Sequence, residues 1–212
     1  FGLELPHFPE GIYYIYSDIT NETGFATALL DTISLPAQKS NSVSIAFPPD
    51  KDNSWITHLP KLNESRLAVT FEDGSKMIWL NGEKNMTPGA VSLDFQLVDA
   101  ESKPLALEPY IEMGGHGIIY KKDGSLFVHI HPTGNFSMAS QEVLYELKEG
   151  VEVNTQKLFC TFGFRQGEDG SLTPNLIKDG RVTFPPFEVS EPGEYRLWIQ
   201  VKSSGEVKTG VF

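Results

Sequence analysis

Three of the chain's five histidines, His116, His129 and His131, lie close together in the sequence. Neutral imidazole is the commonest side-chain ligand of transition metals, and three on one rigid element can hold Zn²⁺ or Cu²⁺. The pair His129-x-His131 has strand spacing, because alternate side chains of a strand share a face. The surrounding run reads as a β-hairpin. Gly117–Tyr120 and Leu126–His131 are rich in β-branched and aromatic residues, and Asp123-Gly124 between them is a tight-turn signal. If Asp123-Gly124 is a two-residue turn, Lys122 pairs with Ser125 and His116 lies opposite His131. If the loop is Lys121 to Gly124, His116 faces His129 instead. Both even-length loops put the three imidazoles on one face, with the opposed pair about 5 Å apart at Cβ. A three-residue loop sends His116 to the other face. The competing role for such a cluster is a hydrogen-bonded surface patch without a ligand.

Met113 precedes His116 by three residues and Met138 follows His131 by seven, so either thioether is a candidate to complete a metal shell. Imidazole with thioether favours copper, whereas three imidazoles with water suit Zn²⁺ and Cu²⁺ equally. For both methionines, packing in a core or loop is the simpler role. Gly114, Gly115 and Gly117 flank His116 and permit tight bending or close approach of backbone. A cupin-like reading, with Glu142 and Gly150 after the H-x-H, does not complete. Glu142 is too distant and no histidine follows His131. There is no nucleophile elbow, no Gly-x-Gly-x-x-Gly and no phosphate loop. Nor does an evident general base stand beside the cluster, which ranks a hydrolytic metal enzyme behind a non-catalytic site.

Composition narrows the partners. With 212 residues and 40% hydrophobic content the chain can bury a real core. The net charge of −11, without a Lys/Arg stripe, argues against nucleic acid. No apolar run approaches the roughly 20 residues of a membrane span. The chain opens on Phe1 without a signal-peptide pattern, and so has the look of a trimmed piece whose export signal or anchor lies elsewhere. The single cysteine, Cys160, cannot form an internal disulfide, and its strand-like surroundings make it a small buried hydrophobe.

The elements that must carry the cluster are strands. Ile12–Ile19, Ser42–Ala46, Arg66–Phe71, Met77–Leu80, Val91–Val98, Gly117–Tyr120, Leu126–His131, Lys157–Phe164 and Tyr195–Val201 have strand character. Turn pairs such as Asp73-Gly74, Asn81-Gly82, Asp179-Gly180 and Pro192-Gly193 separate many of them. Met138 to Lys148, capped by Ser137 or Ser140, is the one helical candidate. The polar run Phe47–Ser54 is the best candidate for a linker. The segment Pro9-Glu10-Gly11-Ile12-Tyr13 resembles Glu191-Pro192-Gly193-Glu194-Tyr195, and both read as the closing hairpin of a sandwich domain. The expected fold is all-β: an immunoglobulin-like antiparallel β-sandwich in two tandem units. Residues 1–62 would be the end of an incomplete first unit plus linker, and residues 63–212 a complete sandwich with the His hairpin.

Leu107-Glu108-Pro109-Tyr110-Ile111-Glu112-Met113-Gly114-Gly115-His116, followed by Asp123-Gly124-Ser125-Leu126-Phe127-Val128-His129-Ile130-His131-Pro132, resembles a group of bacterial extracytoplasmic proteins. These carry M-x-x-H and then D-G-x-x-F-x-H-x-H-P in an immunoglobulin-like domain. The ending from Phe184 to Lys202 fits the same group, as does Glu22-Thr23-Gly24-Phe25. The resemblance implies a periplasmic or cell-surface location and an association with copper. It implies as partners a metal ion and a membrane-anchored or upstream domain of the same protein. The function expected is a non-catalytic metal-binding module, with an adhesion or interaction sandwich as the alternative.

Overall fold

The computed structural model describes residues 9–20, 26–36, 61–63, 66–82, 88–111, 113–132, 164–166, 172–174 and 176–212. Every regular element among them is a strand: β1 (Gly11–Thr20), β2 (Ala26–Leu35), β3 (Lys61–Leu62), β4 (Ala68–Thr70), β5 (Lys76–Trp79), β6 (Gly89–Val98) and β7 (His116–Lys121). Then follow β8 (Phe127–Ile130), β9 (Phe164–Gln166), β10 (Leu172–Pro174), β11 (Arg181–Val189), β12 (Tyr195–Ser203) and β13 (Glu206–Val211). Met138, the helical candidate Met138–Lys148, the strand candidate Ser42–Ala46 and Cys160 lie outside the described residues. The chain divides into two compact units, Phe1–Asp50 and Lys51–Phe212.

In the second unit two antiparallel sheets form a sandwich. One runs β11-β6-β5-β4-β3 and the other β13-β12-β7-β8. The second order is that of the G-F-C-C′ sheet of an immunoglobulin-like domain, with β12 in the place of strand F. Alternation drives the packing. In β6, Val91, Leu93, Phe95 and Leu97 turn inward while Ser92 stays exposed. They meet Ile119 of β7, Ile130 of β8, and Leu197, Ile199 and Val201 of β12 in one cluster. Phe95 sits at its centre, stacked on Trp79 at 5.8 Å and 5.2 Å from Phe212 between ring centroids. Burying a side chain of this size contributes about 1.5–3 kcal/mol. The strand β11 contains Pro185 and Pro186, yet it pairs with β6 on either side of a register shift between Phe184 and Phe187. A bulge at a sheet edge is where prolines, which donate nothing to the ladder, are tolerated.

The first unit's described part is a long antiparallel hairpin in which Tyr13 pairs with Ile33. Tyr13 Oη donates to the carbonyl of Pro9, four residues upstream, at 2.8 Å. Tyr195 Oη, at the start of β12, donates to the carbonyl of Glu191, also four residues upstream and also at 2.8 Å. Each is the side-chain-to-backbone bond of a tyrosine corner. Each also opens the first strand of a hairpin, since β12 pairs with β13 through the tight turn at Ser204 and Gly205. The sequence match around Gly11 and Gly193 therefore corresponds to a shared local structure.

The Asp73-Gly74 turn between β4 and β5 shows how charge secures the sandwich. Asp73 accepts from the backbone and hydroxyl of Ser75 and from Lys208 Nζ of β13 at 2.6 Å, which ties the two sheets together. Burial alone pushes the Asp73 carboxyl up, but the bonds from Lys208 and Ser75 outweigh it and hold the group at about 2. A carboxylate depressed in the folded state contributes stability above its unfolded value, about 3.9, and loses it as pH falls through the folded value. Chemical denaturation at a series of pH values should show wild type losing stability steeply between about pH 4 and 2. Asp73→Asn should be less stable at neutral pH and lose less over that window; an equally steep loss in the variant would contradict the assignment.

Candidate metal centre

The hairpin that carries the histidines owes its orientation to the core. Leu126 and Val128 pack against the core cluster, and Ile130 belongs to it at 5% exposure. With those residues turned inward, Phe127, His129 and His131 must turn outward. On β7, Ile119 turns inward at 1% exposure, which sends His116, Ile118 and Tyr120 outward. The ladder agrees: Gly117 pairs with Ile130, Ile118 with His129, Ile119 with Val128 and Tyr120 with Phe127. This is the register in which Lys122 faces Ser125 and His116 is in line with His131. The last hydrogen-bonded rung is Lys121 N donating to Leu126 O at 3.0 Å. Within the loop, Gly124 adopts φ 77° and donates to Lys121 O at 2.8 Å. The loop has even length, and the three imidazoles share one face.

The turn is fastened on both sides. Asp123 accepts from the hydroxyl and backbone N–H of Ser125, which holds its carboxyl below the usual range, the hydroxyl having the larger effect. Lys121 Nζ reaches Glu191 at 2.9 Å and Asp123 at 3.4 Å, and the bond to Glu191 is the main cause that raises its ammonium above the ordinary lysine value. Lys122 N donates to Glu194 O in the tyrosine-corner loop. The hairpin end is thereby joined to the start of β12.

At the other end, β7 is entered through a fold in the chain. Glu108 bridges to Lys202 of β12. The chain then leaves the sheet in a turn where Tyr110 and Met113 exchange backbone bonds of 2.7 and 3.1 Å, and returns at His116 opposite Gln200. Gly115 makes the return possible, because a Cβ there would stand 2.7 Å from the Gln200 carbonyl oxygen. Tyr110 is buried on His116, its ring edge-on at 5.2 Å and 85°. Burial of His116 on the outer face of a sheet follows from such cover; His131 is also buried, against the rings of His116 and His129, while His129 stays half-buried.

The result is a compact nitrogen cluster. One ligand atom from each histidine lies within 4.8 Å of the others. His116 Nδ1 and His129 Nε2 are 3.4 Å apart. The rings of His129 and His131 are 4.5 Å apart, and those of His116 and His131 are 4.9 Å apart, between centroids. Two nitrogens bound tetrahedrally at about 2.0–2.1 Å from Zn²⁺ stand about 3.3–3.4 Å apart, so the first pair is already at ligand spacing. Bringing every pair to that spacing shortens the widest by no more than about 1.4 Å, within reach of side-chain rotation. His116 Nε2 lies 3.1 Å from the Tyr110 carbonyl oxygen, the backbone contact that orients ligating histidines in metal sites.

Of the candidate ligands, the structure brings His116, His129 and His131 together. Met113 is half-buried on the turn that closes over His116. Sequence reasoning missed Tyr110, because it acts through its carbonyl and residue type carries no mark of that. The Gly114-Gly115 pair, which lets the chain fold back so that Tyr110 meets His116, was the available signal.

The profile of a domain of unknown function, DUF8832, matches residues 69–212, and the chain belongs to this family. No curated protein and no solved structure matches it significantly.

Gly115→Ala tests the entry into β7. The added methyl meets a backbone oxygen that cannot rotate away, so urea denaturation should register a loss of about 1–3 kcal/mol. Unchanged stability would show that the approach of Gly115 to β12 is not a constraint.

Proposed function

We propose that this DUF8832 domain is a non-catalytic metal-binding module whose ligands are His116, His129 and His131, and that its metal is copper in preference to zinc. The observation that carries the reading is the set of three imidazoles on one face of a single hairpin, one nitrogen of each within 4.8 Å of the others, in a register fixed by the core. Copper is favoured because an imidazole site binds Cu²⁺ more tightly than other divalent first-row metals, and because a thioether, Met113, lies on the adjoining turn. Half-exposed His129 gives the ion a route from solvent, and three protein ligands leave a coordination position for water or a donor from a partner. The resemblance of the M-x-x-H and H-x-H-P segments to extracytoplasmic bacterial proteins supports a periplasmic or cell-surface site of action. An anchored or upstream part of the same protein is the natural neighbour in that setting.

The test is calorimetric titration of the purified chain with Cu²⁺ and with Zn²⁺, with elemental analysis of the dialysed complex. One equivalent should bind, Cu²⁺ more tightly. His129→Ala with His131→Ala should abolish stoichiometric binding while circular dichroism retains the strand signal. Binding should weaken as the solution is acidified, because protons compete for the same lone pairs. A wild-type chain that binds neither ion above background at neutral pH would leave the interaction-sandwich reading in its place.

A further inference from the structure

We infer that His116 offers Nδ1, and not Nε2, to the metal, and that the Tyr110–Met113 turn is the positioning device that makes this choice. The inference rests on the metal-binding reading above and adds to it the identity of a ligand atom and a residue that sets it.

The argument starts from a carbonyl, which can only accept. Tyr110 O is 3.1 Å from His116 Nε2, so that nitrogen carries the hydrogen and donates. In a neutral ring the lone pair then belongs to Nδ1. Nδ1 is also the nitrogen that points into the cluster, 3.4 Å from His129 Nε2. His116 is itself only 7% exposed, with the ring of Tyr110 edge-on against it. An ion could reach Nε2 only by displacing the backbone at Tyr110. A bond of this kind behind a ligating histidine fixes the tautomer and raises the basicity of the nitrogen that faces the metal.

The position of that carbonyl is set locally. Tyr110 O also accepts from Met113 N, which uses the carbonyl's second lone pair and closes the turn. Closure places Ile111 at φ 45°, in the left-handed region that is a genuine outlier for a β-branched residue. The residue is 51% exposed, so burial offsets little of that cost. Ile111 thus allows a manipulation that touches no ligand. Glycine accepts its φ readily, whereas proline, fixed near −65°, cannot adopt it.

Long-range ¹H–¹⁵N correlation spectra of the labelled chain at mildly alkaline pH, before and after one equivalent of Zn²⁺, read the result directly. Without metal, His116 should show a protonated Nε2 and an unprotonated Nδ1. With Zn²⁺, the Nδ1 resonance should shift while the Nε2 proton stays in place. Ile111→Gly should hold Zn²⁺ within a factor of a few of wild type, and Ile111→Pro should lose about 10–100-fold in affinity, the usual effect of removing such a supporting contact. A proton on Nδ1 in the metal-free chain, or a Zn²⁺ response at Nε2 of His116, would overturn this assignment and leave the metal-binding reading standing. Equal affinities for the two Ile111 variants would overturn the positioning role of the turn. No response of any imidazole to Zn²⁺ would overturn both the assignment and the reading on which it rests. The wild-type spectra decide the ligand atom even if Ile111→Pro does not fold.

Discussion

The seating of Leu126, Val128 and Ile130 against the core is the contact on which the rest of the site depends. Strand side chains alternate, so a slip of one residue in β8 would exchange these three for Phe127, His129 and His131. That exchange would put two imidazoles into an apolar interior and three aliphatic side chains outside. The cost of such an arrangement, several side chains at about 1.5–3 kcal/mol each, is large beside the stability of a typical domain. The register is therefore a property of the whole sandwich. The shared face of the three histidines is a consequence of it.

A second constraint acts from above the sheet. The excursion between Glu108 and His116 covers part of an outer face that would otherwise be open to water, and brings a backbone acceptor to the back of one imidazole. It is anchored where Glu108 N donates to Lys202 O, and where Glu108 Oε1 accepts from Gly205 N in the β12–β13 turn. The hydroxyl of Ser203 adds a bond to Ala106 O at 2.8 Å. The same strand β12 thus supports the excursion at one end and, through Glu191 and Tyr195, the hairpin turn at the other. Its own inward side chains, Leu197, Ile199 and Val201, hold it to the core.

Much of this was legible in the residues, and the reasons for the rest are physical. The all-β class followed from strand-forming runs and turn pairs, and the shared face of His129 and His131 from their H-x-H spacing, while the place of His116 hung on the length of the Asp123-Gly124 loop. Loop parity was not readable from the turn itself. Asp73-Gly74-Ser75 and Asp123-Gly124-Ser125 are identical triplets, and in both the aspartate accepts from the serine N–H and hydroxyl. Yet Phe71 N donates to Ser75 O in the first, whereas Lys121 N donates to Leu126 O in the second, one residue further along. Ser75 is buried as part of the ladder and Ser125 is exposed outside it, so the flanking strands choose the loop length. The strand β11 was obscured by Pro185-Pro186, which local propensity reads as a break and the sheet accommodates as a bulge. Tyr110 was hidden for a different reason, since its contribution is a carbonyl oxygen that every residue possesses.

The central claim is that three imidazoles of one hairpin converge on one ion. X-ray absorption spectroscopy of the chain loaded with one equivalent of Zn²⁺ or Cu²⁺ tests it most directly. The expected spectrum contains a nitrogen shell at about 2.0–2.1 Å for Zn²⁺ with imidazole multiple scattering that fits three rings. A first shell of oxygen without that scattering, or with a single ring, would contradict the account.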